Sequence, residues 1–267
     1  MTAYAEVIGD PISHSKSPLI HNFWLEKLGI DAEYRAMHVH PGELPAYFAQ
    51  RRADAAWRGC NVTLPHKVAT MALVDQCSAL VSKVGAVNTV VRNGDGTLDG
   101  GNTDATGFAE PLQGRHFDRV TVIGAGGAAR AVLAGLTNRR ISWVSILNRD
   151  VAKAAALLEE FGLNGCALEL DAEVPIANLL VNASSLGMVG QPELPPVERY
   201  VADTGTVYDL VYAPLQTRLL AASRARGVEV IDGLVMLVAQ AAEAFSAFFG
   251  QPAPRQHDAE LRALLTR

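Results

Sequence analysis

An α/β protein of two domains is what this sequence predicts, and three observations carry that reading. The chain has 267 residues, enough for one large or two modest domains with sizeable cores. Its first hundred residues alternate β-branched or aromatic runs with helical spacing, an order that argues for a mainly parallel sheet covered by helices. Near the middle, Val120-Thr121-Val122-Ile123 runs into Gly124-Ala125-Gly126-Gly127. Ala128, Ala129, Ala131, Val132, Leu133 and Leu136 then recur at helical spacing.

In chain order, a first strand is expected over 4–8, broken by Gly9-Asp10-Pro11. An apolar-periodic helix follows over 19–28, with Pro18 in its first turn and Ser17 placed to cap it. Ser15 and Ser17, as two hydroxyls beside helix-start N–H groups, form a candidate carboxylate cradle; as single residues, each also reads as an ordinary turn or cap. His14 and His21 read as structural histidines satisfying local bonds. A second strand is predicted over 33–39, a helix over 41–51 and a third strand over 57–63, after which helical spacing resumes at Val68, Met71, Ala72 and Leu73. In parallel sheets ligands gather beyond the carboxyl ends of the strands, where Asn61, Thr63 and Lys67 fall. Lys67, placed at a helix start, would have its proton loosened by the dipole, which suits proton transfer; a lone lysine is otherwise a solvated charge.

A further strand is expected over 85–91, with Asn88 interrupting an apolar run, so that it is either hydrogen-bonded in place or binds something. Arg92-Asn93-Gly94-Asp95-Gly96-Thr97 has hairpin-turn chemistry. The returning strand leads to Asp104, which serves equally as a helix cap or as a functional carboxylate.

In the central turn, Gly124, Gly126 and Ala129 fill the pattern G-x-G-x-x-A between a strand and a helix. Gly124 allows the turn, Gly126 removes a Cβ where a pyrophosphate would meet backbone, and Ala129 keeps the helix close to the strand. The second half thus reads as a Rossmann dinucleotide-binding domain. A strand over 141–147 ends in Asn148-Arg149-Asp150, and a helix over 151–161 carries Lys153. At this place an acidic residue binds a ribose 2′-hydroxyl, while an arginine accepts a 2′-phosphate. The chain supplies both, and Asp150 is equally suited to cap the next helix. Strands over 178–182, 206–211 and 228–231 and a helix over 215–226 complete the domain, and a helix over 234–248 carrying Gln240 follows it. A Pro-containing link over 251–255 and a short helix end the chain.

The net charge of −5 and the lack of any basic run exclude nucleic acid as the main partner. No basic leader with an apolar core and no run of ~18 apolar residues occurs, so a cytoplasmic protein without a membrane partner is expected. Cys60, Cys77 and Cys166 are far apart and not in a metal-type pair, so they read as buried small residues of a reducing compartment, and no metal is expected.

Several blocks together resemble the shikimate dehydrogenase family: Gly9-Asp10-Pro11-Ile12-Ser13-His14-Ser15-Lys16-Ser17-Pro18, Asn61-Val62-Thr63-Leu64-Pro65-His66-Lys67, Gly85-Ala86-Val87-Asn88-Thr89 and the stretch from Gly101 to Phe108. The match continues through Gly124 to Ala131, Asn182 to Met188, Tyr212 to Thr217 and Gly233 to Leu237, in the family's order. The resemblance implies NADP-dependent reduction of 3-dehydroshikimate to shikimate, in the biosynthesis of chorismate and aromatic amino acids. It implies Lys67 and Asp104 as the catalytic pair, with Ser15, Ser17, Thr63, Asn88, Tyr212 and Gln240 holding the substrate. For the cofactor it implies Gly124, Ala125, Gly126, Gly127, Ala128, Asn148, Arg149, Asp150, Lys153, Ser184, Leu210 and Gly233. The implied layout is a substrate domain over 1–103, completed by helices over 234–267, and a dinucleotide domain over 104–233, with hinge closure of the cleft excluding water. The family's NADP users resemble Asn-Arg-Thr where this chain has Asn148-Arg149-Asp150, so NADP is expected, with NAD as the alternative. Val235 stands where relatives have glycine.

The rival readings are an NAD-preferring quinate/shikimate dehydrogenase, a dinucleotide-binding sensor without turnover, and an S-adenosylmethionine-dependent methyltransferase. The last leaves Lys67 with Asp104 unexplained. A monomer or a homodimer fits equally.

Overall fold

The structure is a computed structural model that describes residues 2–137, 139–173, 176–195 and 205–267. The chain divides into two compact units, one of residues up to Thr103 with Val238–Arg267 and one of Asp104–Leu237.

The first unit holds β1 (Ala3–Gly9), α1 (Ser17–Leu28), β2 (Ala32–His38), α2 (Leu44–Arg52), β3 (Trp57–Val62), β4 (Gln76–Cys77), α3 (Ala79–Val84), β5 (Thr89–Arg92) and β6 (Leu98–Gly101). Its six-stranded sheet has the order β2-β1-β3-β5-β6-β4. β1 pairs parallel with β2 and β3, and β4 with β6, while β5 is antiparallel to β3 and β6. The hairpin chemistry after Arg92 produces that reversal. Apolar residues cover both faces. Leu44, Tyr47, Phe48 and Trp57 pack on one, and Ala5, Val7, Tyr34 and Phe248 on the other. Gly59 fixes the second contact, because a Cβ there would fall on the Val90 carbonyl and 2.8 Å from Phe248.

The second unit opens with α4 (Asp104–Ala109) and continues through β7 (Arg119–Ile123), α5 (Gly127–Leu136), β8 (Trp143–Leu147), α6 (Val151–Glu160), β9 (Gly165–Leu168), β10 (Leu179–Asn182), β11 (Thr206–Asp209), α7 (Arg218–Ala225) and β12 (Glu229–Ile231). All six strands run parallel in the order β12-β11-β10-β7-β8-β9. The order reverses at β7 beside β10, the switch point at which doubly wound sheets bind dinucleotides. Helix α8 (Gly233–Phe249) belongs to this unit by its first residues and to the first unit by the rest. Helix α9 (Asp258–Leu265) ends the chain.

Several expectations need correction. Ser17 is the first residue of α1 rather than its cap; the cap is Lys16, which makes no side-chain capping bond. Residues 41–43 form a 3-10 turn before α2. Directly after Lys67 comes a 3-10 helix, Ala69–Ala72, rather than the start of an α-helix, so no helix dipole acts on that lysine as expected. β4, α3 and β9 were not expected; the first two are short and β9 is only half-buried. Of the cysteines only Cys60 is buried, while Cys77 is exposed and Cys166 half-buried. No helix among the described residues is long and apolar enough to cross a membrane.

Candidate active site

In the first unit, the strand pairings bring polar residues to one edge of the sheet. Asn61 near the end of β3 lies opposite Thr89, the start of β5, and Thr89 lies opposite Gly101 at the end of β6. Thr63, Asn88 and Thr103 therefore follow or precede their strands at a common edge. Asn88, 3 % exposed, accepts from the Thr103 amide at 2.7 Å and donates to Thr103 Oγ1 at 3.1 Å. Thr103 Oγ1 lies 3.4 Å from Gln240 Oε1 on α8, and Thr89 Oγ1 donates to Asn88 Oδ1 at 2.9 Å. Asn61 donates to Thr89 Oγ1 and accepts the Tyr34 hydroxyl at 2.6 Å. Asn88 and Gln240 thus sit in one buried polar network, which accounts for both polar interruptions of apolar sequence.

The neighbouring turns are pinned by backbone bonds. The Thr63 amide donates to Ile8 O, the His66 amide to Thr63 O, and the Val87 amide to Lys67 O at 2.9 Å. A Cβ on Gly9 would stand 2.5 Å from Thr63 Cγ2 and 3.0 Å from Leu64 O, so a side chain there would force the Thr63 turn to shift. Lys67 and Thr63 are half-buried. Ser17, which is buried, donates its amide to Ser15 Oγ at 3.3 Å, so the two serines share one turn. His66 is structural, its Nε2 2.7 Å from Val39 O. Asp104 lies in the second unit, half-buried in the first turn of α4.

In the second unit, the glycine turn follows β7. Gly124 has φ +106°, and a Cβ there would lie 3.0 Å from Ala183 O and 3.1 Å from Ser184 Cβ. Gly126 caps α5, and the space beside it is open. Ala129 is fully buried behind it. Gly124 thus makes its turn in a conformation that favours glycine, Gly126 leaves an open backbone face, and Ala129 packs the helix tightly. After β8, Asn148 donates to Asp150 O at 2.9 Å, and Asp150 Oδ1 accepts the Lys153 amide at 3.0 Å. Asp150 therefore caps α6, while Arg149 and Lys153 are exposed.

Loops after β10 and β11 are joined by a buried network. Asn182 Oδ1 accepts from Ser184 N and Oγ, and its Nδ2 donates to Asp209 Oδ1 at 2.9 Å. Asp209 also accepts from Thr217 Oγ1 at 2.6 Å and from the Val211 amide at 3.1 Å. Burial raises the Asp209 carboxyl above the usual carboxylate range, and these bonds oppose that rise. Tyr212, half-buried beyond β11, has its hydroxyl pKa raised by burial. Leu210 and Gly233 touch so closely that a Cβ on Gly233 would fall on the Leu210 carbonyl, with Val211 O at 2.7 Å. Asp209 and Thr217 went unassigned in the sequence. The signal was present, since Asp209 breaks an apolar run as Asn88 does.

Family models and known proteins resemble this chain along most of its length. A family model described as the shikimate dehydrogenase substrate binding domain matches residues 7–90, the shikimate / quinate 5-dehydrogenase model matches 109–185, and the shikimate 5'-dehydrogenase C-terminal domain matches 233–260. The chain is 55% identical over 264 residues to shikimate dehydrogenase (NADP(+)) of Sphingopyxis alaskensis, covering 98% of this chain and 96% of the relative. The crystal structure of shikimate 5-dehydrogenase from Thermus thermophilus, in complex with NADP(H) and shikimate, is 37% identical with a TM-score of 0.85, covering 98% of this chain and 99% of that one. Quinate dehydrogenase from Corynebacterium glutamicum in complex with NAD superposes with a TM-score of 0.89 at 28% identity, covering 98% of this chain and 99% of that one.

Proposed function

The chain belongs to the shikimate dehydrogenase family, and we propose that it catalyses the reversible NADPH-dependent reduction of 3-dehydroshikimate to shikimate. The observation that carries this is the 55% identity, along 98% of the chain, with a shikimate dehydrogenase named for NADP(+). The residues present fit that cofactor: Gly126 leaves an open backbone face at the start of α5, and the Asp150 carboxylate accepts an amide of its own helix. Arg149 and Lys153 therefore stand exposed for a 2′-phosphate without a carboxylate directed at it.

When bound, the reduced nicotinamide supplies a hydride to the substrate carbonyl carbon. Lys67 gives the proton to the carbonyl oxygen and stabilises its developing charge, with Asp104 as its carboxylate partner on the substrate. Ser15 and Ser17 take the substrate carboxylate, and Thr63, Asn88, Tyr212 and Gln240 its ring hydroxyls. The Asn88–Thr103–Gln240 bonds hold two of these side chains in fixed rotamers, which favours orientation of the ring. Ser184, Leu210 and Gly233 would hold the nicotinamide end, and Gly124, Ala125, Gly127, Ala128 and Asn148 the rest of the cofactor. We place the enzyme in the cytoplasm, as a monomer or homodimer.

The test is a kinetic matrix of shikimate and quinate against NADP and NAD. The expected result is the highest kcat/KM for shikimate with NADP. A higher value for quinate with NAD would replace this reading with its nearest rival, and binding of dinucleotide without turnover would make the protein a sensor.

A further inference from the structure

At the rim of the first sheet, three side chains with no part in the proposed chemistry converge. β1 and β2 run parallel with Gly9 opposite His38, so Asp10 and the residues ending β2 share one edge. His38 Nε2 lies 2.7 Å from Asp10 Oδ1, and His40 Nδ1 lies 3.2 Å from Asp10 Oδ2. The two rings flank the buried Val39 with centroids 4.4 Å apart. All three donor atoms fall within 4.8 Å of one another.

We propose that Asp10, His38 and His40 form a binding site for a divalent first-row transition ion, zinc before the others. Two imidazoles and one carboxylate match the preferences of Zn²⁺ and Co²⁺, whereas Mg²⁺ and Ca²⁺ favour oxygen donors throughout. A tetrahedral zinc with donors at about 2.0–2.2 Å holds them roughly 3.3–3.6 Å apart, so small side-chain rotations bring this triad into place. Each imidazole presents to the ion the nitrogen that now faces Asp10, and its proton resides on the other ring nitrogen.

The backbones that carry the ligands are fixed. The Asp10 amide donates to Leu64 O and the Val39 amide to Gly9 O. Val39 O lies 2.7 Å from His66 Nε2, and the His40 amide donates to Glu43 Oε2 at 3.1 Å. Such preorganisation separates this cluster from loose surface ion pairs. The side chains are 29% exposed at Asp10, 49% at His38 and 61% at His40, which leaves solvent free to complete the coordination.

The experiment uses the full chain in a Cys77→Ser background, because Cys77 is an exposed thiol that would bind the same ions. Chelator-treated protein is titrated with Zn²⁺ by calorimetry and with Co²⁺ by visible absorption. About one ion per chain is expected, with affinity reduced about tenfold or more in each of Asp10→Asn, His38→Ala and His40→Ala. Circular dichroism checks that each variant is folded. Zn²⁺ should also raise the Tm of the parent and leave that of the His38→Ala/His40→Ala double variant unmoved. Absence of saturable Zn²⁺ or Co²⁺ binding at micromolar concentration overturns the proposal, as does equal affinity in the double variant.

Discussion

The imidazole of His21 stacks on the ring of Tyr34, with centroids 3.9 Å apart and planes 5° from parallel. Neither ring nitrogen has a hydrogen-bond partner among the described residues, and complete burial pushes the pKa down to about 3. An unfolded histidine takes up its proton near pH 6.5. Between the two values the unfolded chain holds a proton that the folded chain lacks. The stability linked to the neutral ring is therefore intact above pH ~6.5 and declines as pH falls towards 3, by about 1.4 kcal/mol per pH unit. His21→Phe should flatten that decline, read from urea unfolding at a series of pH values. An unchanged slope would assign the acid sensitivity to other groups.

Glu6, 2 % exposed, accepts from Arg51 Nε at 2.8 Å, Arg51 Nη2 at 3.0 Å and the Tyr47 hydroxyl at 2.7 Å. Removing the cation leaves a buried carboxylate uncompensated. Arg51→Met should cost about 3–5 kcal/mol in denaturant unfolding, and Glu6→Leu added to it should restore much of the loss.

The two glycines of the turn after β7 should part company when each becomes alanine. Gly124→Ala puts a Cβ against Ala183 O at positive φ, a conflict of roughly 1–3 kcal/mol visible as a lower Tm. Gly126→Ala enters open space, so its Tm should match the parent while the KM for NADP rises. A normal KM in the second variant would show that no pyrophosphate meets that backbone.

Lys67→Ala should lower kcat by roughly a hundredfold or more with a much smaller change in KM for shikimate. Steady-state rates decide it, and a kcat close to the parent's would remove the lysine from the proton transfer.

Asp150→Ala should lower stability by about 1 kcal/mol through loss of the α6 cap and leave the NADP-to-NAD ratio of kcat/KM near the parent's. Arg149→Ala should move that ratio towards NAD. A large change of ratio in the first variant would mean that the carboxylate faces the ribose.

Most of the second sheet was legible, because each of its central strands is a short apolar run ended by glycine, asparagine or aspartate. β9 escaped notice since its Gly-Cys-Ala-Leu is half-buried and carries no alternation. Asp150 as a cap could be read from an aspartate before an apolar-periodic helix, whereas Ser17 was misplaced by one residue because Lys16 caps through backbone alone. The helix expected after Lys67 failed for a different reason: Val68 is exposed while Thr70 is buried, so the spacing of apolar residues there marks no inward face. Asp10 and His38 could not be paired from sequence at all. They are 28 residues apart, and only the register of β1 on β2 joins them.

Residues Val238–Arg267 complete a unit whose other part ends at Thr103. During synthesis, β1 to β6 emerge well before Phe245 and Phe248, the rings that enclose His21 and Tyr34. The nascent front half must therefore wait with one aromatic face bare, a state prone to sticking to other chains. A premature stop or a protease nick in the final thirty or so residues would do its damage at the opposite terminus.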